Sequence, residues 1–424
     1  MLEIGSGLGD LLASLRPARG VGIEWDRSLV EAAVERHPGL DFQLFDGQIS
    51  DLGEAFDYII LSDVIAEHDD IQALLSDLRA LCHARTRLII GYFNMLWMPV
   101  LKAAEWARLK RPQRAMNWLS TTDVSNLLHL AGYETVKTDR RMLLPKKIPI
   151  LSTFANRFLA AFPGIRLFCL DFYVVARRLP PEHLAPLKVS IVIPCRNEKG
   201  HIEDGLRRLP HFGDSQEIIF VDGHSEDDTP GEIERMIEAL PDRDIKLLVQ
   251  EGRGKGDAVR MGFAHASGDL LMILDADLTV PPEDLPKFYE AAISGKGEFI
   301  NGSRLVYPME SQAMRSLNIM GNKFFAMAFS WLLDQRLKDT LCGTKVLFKQ
   351  DYERIAEGRK YFGDFDPFGD FDLLFGASRL NLKIVEVPIR YRDRAYGTTN
   401  ISRFRHGWLL LKMTVYAFFK LKAR

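Results

Sequence analysis

The chain has few cysteines, no long apolar run and almost no net charge, and each shortage removes a class of protein. Its four cysteines, Cys82, Cys169, Cys195 and Cys342, are scattered and form no Cys-x-x-Cys pair. That argues against a disulfide framework and against a zinc site, and makes a reducing cytoplasm the expected setting. No run of about 18 apolar residues occurs, so no membrane-spanning helix is expected. The longest apolar stretches, Phe324–Leu333 and Trp408–Phe419, are too short to cross a bilayer and long enough to touch one. The start, Met1-Leu2-Glu3-Ile4-Gly5, has neither the basic nor the apolar region of a signal peptide. With 55 Lys and Arg against 57 Asp and Glu, no global field directs the chain to nucleic acid or to lipid. Any recognition of phosphate or membrane must therefore be local.

What is present points to two domains. At 424 residues the chain exceeds one ordinary core. Residues 179–187, with Pro180, Pro181 and Pro186, have no hydrophobic period and read as a linker between a domain at 1–178 and one at 188–424. On each side, short β-branched runs alternate with amphipathic stretches of ten or more residues, the pattern of βαβ units around a mainly parallel sheet. The expected fold class is α/β twice over.

In the first half, Leu2-Glu3-Ile4 reads as a strand, Gly5-Ser6-Gly7-Leu8-Gly9 as a tight loop and Asp10–Leu15 as a helix. Glycines in such a loop let main-chain amides approach a ligand. Val21-Gly22-Ile23-Glu24 is a second strand ending in an acid, Phe45-Asp46 follows a third and Leu61-Ser62-Asp63 ends a fourth. Each strand end thus offers a polar group to one crevice. The series resembles the class I S-adenosylmethionine methyltransferases, particularly the MetW-like kind, over roughly Met1–Arg178. The resemblance implies a Rossmann-like domain binding S-adenosylmethionine through Glu3, Gly5, Gly7, Gly9 and Asp63, with Glu24 on the ribose and Asp46 on the adenine. Glu67-His68 matches the acid–His pair of that family, and for His68 packing beneath the cofactor is the preferred reading over a catalytic base. Such proteins normally carry a helical segment before the first strand, which this sequence does not show. A scaffold without catalysis is the alternative reading of this half.

In the second half, Val189–Pro194 is a β-rich run, followed by Cys195-Arg196-Asn197-Glu198 and a helix at His201–Leu209. Glu217–Asp222 is a second strand ending in an acid, the position where open α/β sheets bind nucleotides. Gly252-Arg253-Gly254-Lys255-Gly256-Asp257 combines flexible backbone with cations, a composition suited to a diphosphate. Leu270–Leu274 drives a strand into the core, and Asp275-Ala276-Asp277 emerges at its end. Alternation puts the two carboxylates on one face, close enough to share a hard divalent cation with the donor's phosphates.

These elements resemble the family 2 inverting glycosyltransferases, with the GT-A fold, over nearly all of Lys188–Tyr396. Within that family the likeness is greatest to dolichyl-phosphate mannose synthases and bacterial polyprenyl-phosphate sugar synthases, supported by Asn301–Arg304, Asp339–Lys345, Asp370–Leu374, Glu386–Ile389 and Arg394–Asn400. The resemblance makes Pro194, Asn197, Glu198, Asp222, Lys255, Asp275 and Ala276 the nucleotide-sugar site. It makes Asp275 and Asp277 the ligands of Mg2+ or Mn2+, with Asp277 catalytic. A polyprenyl phosphate acceptor is already anionic, so it needs positioning, for which Arg304 and Arg394 are the candidates. A saccharide hydroxyl would need a base, for which Asp372 or Asp370 is placed. Asn400 stands where the polyprenyl-phosphate group has a lysine.

Trp408–Arg424 reads as a helix with a basic stripe, Lys412, Lys420 and Arg424 beside Tyr416, and with apolar residues over the remainder. It is expected either to lie on a membrane surface or to pack on its own domain.

Overall fold

A computed structural model of the chain describes residues 1–45, 52–109, 117–180, 183–306, 316–361, 369–392 and 403–423, the side chains of 316–320, 360, 370 and 403–406 excepted. The chain forms two units, Met1–Pro180 with Lys422–Arg424, and Pro181–Leu421.

The first unit holds β1 (Leu2–Ile4), β2 (Val21–Glu24), β3 (Asp41–Leu44), β4 (Phe56–Ser62), β5 (Cys82–Phe93), β6 (Tyr133–Arg141) and β7 (Asp171–Arg178). They form one sheet in the order β3-β2-β1-β4-β5-β7-β6. β7 runs antiparallel to both β5 and β6, and the strands from β3 to β5 are parallel. The strand β1 is buried along its whole length because helices cover both faces of the sheet, with Leu2 and Ile4 in the core and Glu3 buried between them.

The second unit holds β8 (Lys188–Cys195), β9 (Ser215–Asp222), β10 (Asp244–Val249), β11 (Leu270–Ile273), β12 (Phe299–Ser303), β13 (Lys345–Phe348) and β14 (Ile384–Pro388). Their order is β10-β9-β8-β11-β13-β12-β14, with β13 antiparallel to its neighbours. The pleat sorts the strand residues between two cores. Val192, Leu271 and Ile273 join one, with Phe329 and Phe371, while Ile191, Ile193, Leu270 and Met272 join the other, with Phe288. Burying each such side chain contributes about 1.5–3 kcal/mol, which is why β11 tolerates no polar residue before its end.

Both sheets reverse direction beside their first strand, between β1 and β4 and between β8 and β11. At such a switch point the loops leaving the carboxyl ends part and open a crevice. Among the described residues, the strand-end acids singled out from the sequence are carried on one of these two edges.

The C-terminal helix covers Arg403–Leu421, beginning before the expected Trp408. Leu410, Met413 and Ala417 are buried in the second unit's core, while Trp408, Leu411, Val415 and Phe419 stay exposed. Among the described residues no helix is long and apolar enough to cross a membrane.

Candidate active site

The second unit's crevice is built around the turn that follows β11. Asp275 and Asp277 are partly exposed and Ala276 between them is buried, so the two carboxylates share the outer side of the segment. Asp277 caps its own turn, accepting from the Thr279 amide at 3.2 Å and the Thr279 hydroxyl at 2.8 Å. Lys255 Nζ lies 2.5 Å from Asp275 Oδ1. This lysine opens the helix Lys255–His265, whose N-cap is Gly254 at φ +85°. Its ammonium and the helix N-terminus therefore face the same carboxylate. Two glycines allow this closeness. A Cβ on Gly343 would come 1.9 Å from Asp275 Oδ2 and 2.4 Å from Lys255 Nζ. A Cβ on Gly369, at φ +71°, would come 2.5 Å from the Cα of Gly256, so the turn before the helix Asp370–Arg379 is pressed onto the lysine's helix.

The loops after β8 and β9 are clamped together. Asn197, left-handed at φ +58°, donates its amide to Ser225 Oγ at 2.9 Å, and its side-chain oxygen accepts from the Glu226 amide at 2.7 Å. Asp222, 3% exposed, accepts from the Ser225 amide at 3.1 Å and from its hydroxyl. The Glu198 amide donates to Thr229 Oγ1 at 3.0 Å, and Glu198 Oε2 lies 2.9 Å from His201 Nδ1. Pro194 is in β8, opposite Val221 of β9. The opening motif and the strand-end acid thus form one rigid wall.

On the other side stands a relay that sequence reading missed. Arg304 binds Asp339 through Nε at 2.7 Å and Nη2 at 2.8 Å, and its amide reaches the same carboxylate at 3.0 Å. Burial alone would raise the Asp339 pKa, but the facing guanidinium outweighs it and the net shift is downward. The Arg304 guanidinium lies 5.2 Å from the centre of the Tyr391 ring. Burial pushes the Tyr391 phenol up, while its hydrogen bond to Thr279 opposes that rise. Asp277, Thr279, Tyr391, Arg304 and Asp339 are therefore one connected series. The Arg392 amide donates to the Thr279 carbonyl at 3.0 Å, pinning the chain that leaves β14 to the turn carrying the two carboxylates. Arg394 lies outside the described residues. Arg304 reaches the site as a partner of Asp339 and Tyr391, not as a lone cation.

Asp372 is 8% exposed and accepts from Arg359 Nε at 2.8 Å. The side chain of Asp370 lies outside the described residues. In the helix Asp370–Arg379 the N-cap is Gly369 and no side chain caps it.

In the first unit, Gly5, Gly7 and Gly9 have φ of +72°, +52° and +76°. A Cβ on Gly5 would strike Val64 and one on Gly9 would strike Phe42, whereas Gly7 faces open space. Glu24 accepts from the amides of Gly7 at 2.8 Å, Trp25 at 2.8 Å and Asp26 at 3.3 Å. Glu3 is 2% exposed and lies beneath the loop, accepting from the Leu12 amide at 3.1 Å. Burial raises its pKa to about 7, with the charge of Glu24 adding to the rise. Asp63 follows β4 at φ +61°. Asp171, at the start of β7, is pushed up to about 6 by burial and by Asp63, a grouping no local motif announces. His68 Nδ1 accepts from the Asp70 amide at 3.2 Å. Asp46 lies outside the described residues.

Residues 190–355 match the family described as Glycosyl transferase family 2, and residues 1–138 match that described as Methyltransferase domain. The chain joins a methyltransferase domain to a family 2 glycosyltransferase domain. The glycosyltransferase domain carries the sequence likeness to curated relatives. An undecaprenyl-phosphate 4-deoxy-4-formamido-L-arabinose transferase of Klebsiella pneumoniae is 37% identical over 223 residues, 51% of this chain and 64% of that protein. A dolichol-phosphate mannosyltransferase of Pyrococcus furiosus is 30% identical over 243 residues, 53% of this chain and 64% of that protein. A solved glucosyl-3-phosphoglycerate synthase of Mycobacterium tuberculosis aligns at TM-score 0.39 and 19% identity, covering 55% of this chain and 80% of that one. The chain spans a little under two thirds of the length of the two curated relatives named.

Proposed function

We propose that this protein is an inverting glycosyltransferase that moves a sugar from a nucleotide-diphosphate sugar to a polyprenyl phosphate at a membrane surface. The observation that carries the reading is the partly exposed pair Asp275 and Asp277, with Lys255 on Asp275, in a domain whose curated relatives are named for undecaprenyl phosphate and dolichol phosphate. The residues fit Mg2+ or Mn2+. Two carboxylates supply hard oxygen ligands, although among the described residues no third His, Cys, Asp or Glu joins them. Asp275 and Asp277 would hold such an ion, which would supply charge neutralisation to the departing diphosphate. Lys255 holds Asp275 in place, and its ammonium then serves the diphosphate. Asp222, fixed by Ser225, faces the nucleotide base, and the clamp on Asn197 keeps that wall rigid.

A phosphate monoester acceptor is largely ionised near neutral pH and needs no general base. Arg304 acts through Tyr391, and Arg394 orients the acceptor oxygen. Attack opposite the leaving group inverts the anomeric centre. The saccharide-hydroxyl reading needs Asp372 or Asp370 as base, and the ion pair of Asp372 with Arg359 disfavours the first of these.

The exposed stripe Trp408, Leu411, Val415 and Phe419 suits contact with the membrane that holds such an acceptor, on its cytoplasmic face. The methyltransferase domain binds S-adenosylmethionine at the Gly5–Gly9 loop, with Glu24 shaping the loop. A thermal-shift screen of nucleotide sugars, with and without Mn2+, tests the donor site. Stabilisation by one nucleotide diphosphate only when the metal is present supports it, and a metal-independent response contradicts it.

A further inference from the structure

The first unit carries two long insertions between strands, and both leave the same edge. Residues 94–109 and 117–120 follow β5 and residues 142–170 follow β6, two strands that run parallel because each is antiparallel to β7. The Gly5–Gly9 loop leaves β1 at that edge too, since β1, β4 and β5 are parallel. The insertions are tied to each other. Asn94 Nδ2 donates to the carbonyls of Leu167 at 3.0 Å and Cys169 at 2.7 Å, and Trp97 Nε1 donates to the Phe168 carbonyl at 2.8 Å. Asn156 returns two bonds to Leu144, closing the second insertion on itself.

Their surfaces run against ordinary burial. Trp106 is 89% exposed, Leu109 83% and Ile150 86%, and Leu96, Phe154 and Phe168 are each at least half exposed. Ile150 is a β-branched residue at φ +65°, a costly backbone state that here presents an apolar side chain to solvent. Clusters of this kind on a soluble surface mark a binding face. Charge narrows the partner. The described part of the first insertion contains Lys102 and Arg108 against one acid, Glu105. The second contains the exposed Lys146 and Lys147, together with Arg157 and with Arg166, which is ion-paired to Asp139 of β6, and no acid of its own. In a chain of net charge −2 the exposed lysines are a local excess. Protruding tryptophan and aliphatic side chains with interspersed cations match an anionic bilayer surface, where the rings enter the headgroup layer and the cations meet lipid phosphate.

We propose that these two insertions form a membrane-docking face of the methyltransferase domain, so that a ligand reached at the glycine-loop edge is one presented by an anionic bilayer. The face lies wholly in the first unit and is argued independently of the exposed stripe of the C-terminal helix.

The test uses the full chain with a polarity-sensitive nitrobenzoxadiazole label on a single introduced cysteine, Trp106→Cys, Ile150→Cys or, as a separate reporter, Trp408→Cys. The four native cysteines are buried and leave the new one as the reactive thiol. On vesicles of equal parts phosphatidylglycerol and phosphatidylcholine, labels at 106 and 150 should shift to the blue and lose most of their emission to lipid-borne nitroxide. Lys146→Gln with Lys147→Gln should weaken partitioning roughly thirtyfold on these vesicles and leave it unchanged on phosphatidylcholine alone. Protein that floats while labels at 106 and 150 remain in water, with only 408 responding, overturns the proposal and leaves the second unit's contact standing. Absence of flotation, or a response at 106 and 150 caused instead by self-association in light scattering without lipid, overturns it as well.

Discussion

In the first sheet the strand-end acid Glu24 is held by three main-chain amides, whereas beside the switch point of the second sheet Asp275 is held by one lysine side chain. The two sheets order their first four strands alike, but Glu24 ends β2, whose counterpart β9 ends in Asp222, while Asp275 follows β11, so the two acids stand at different strand ends and differ in how each is satisfied. An acid bonded to the amides of its own loop shapes that loop and cannot release them without disordering it. An acid bonded to a lysine can exchange partners with a ligand, because a flexible ammonium moves at small cost. The first crevice is therefore preformed by main chain, and the second is balanced by charges that a donor rearranges.

The largest expected effect is at the acid beside the exchangeable pair. Asp277→Asn removes a charge facing the diphosphate and should lower transfer about 10²–10³-fold while the melting temperature holds. Next comes the glycine above it. Gly343→Ala should force Asp275 and Lys255 apart and cost about 10²-fold in transfer, since displacements of an ångström have that effect. If a fold-neutral Gly343→Ala kept full activity, the pair would not be part of the site.

In the first unit the same kind of change should act on the fold. Glu24→Ala leaves three amides without their acceptor and should destabilise that unit by about 1–3 kcal/mol, alongside weaker binding of S-adenosylhomocysteine in calorimetry. Loss of ligand binding with no loss of stability would break the contrast between the two crevices. The smallest effect concerns Glu3. Its folded pKa of about 7 lies above its ordinary value near 4.5, so folding favours the protonated form. The stabilisation is complete below the unfolded value and is lost as pH rises through about 7. Calorimetric scans of the first transition should show a decline of about 1–2 kcal/mol across that window, absent in Glu3→Gln.

Much of this was legible in the sequence where the signal is local. β1, β2 and the helix Asp10–Leu15 fall where the apolar runs and glycines put them. The burial of Ala276 between two partly exposed acids follows from strand alternation. What stayed hidden depends on contacts distant in sequence. The direction of β7 and β13 leaves no trace in composition, because strands covered on both faces read as apolar runs whichever way they point. Arg304 looked like a free cation because Asp339 lies 35 residues away. Tyr391 carries no motif of its own, and Gly343 was visible only as part of the stretch Asp339–Lys345; only the fold sets them against Thr279 and Asp275. The helix Arg403–Leu421 was read with one apolar face, whereas it has two, one packed and one exposed.

The measurement that bears most directly on the account is acceptor choice by the full chain. Radiolabelled nucleotide sugars, supplied with Mn2+, are incubated with vesicles containing a polyprenyl phosphate and, separately, with soluble saccharides. The account predicts label in the organic phase as a mild-acid-labile polyprenyl phosphate sugar, abolished by EDTA and by Asp277→Asn. Label confined to soluble saccharides, with none in the lipid phase, would contradict it.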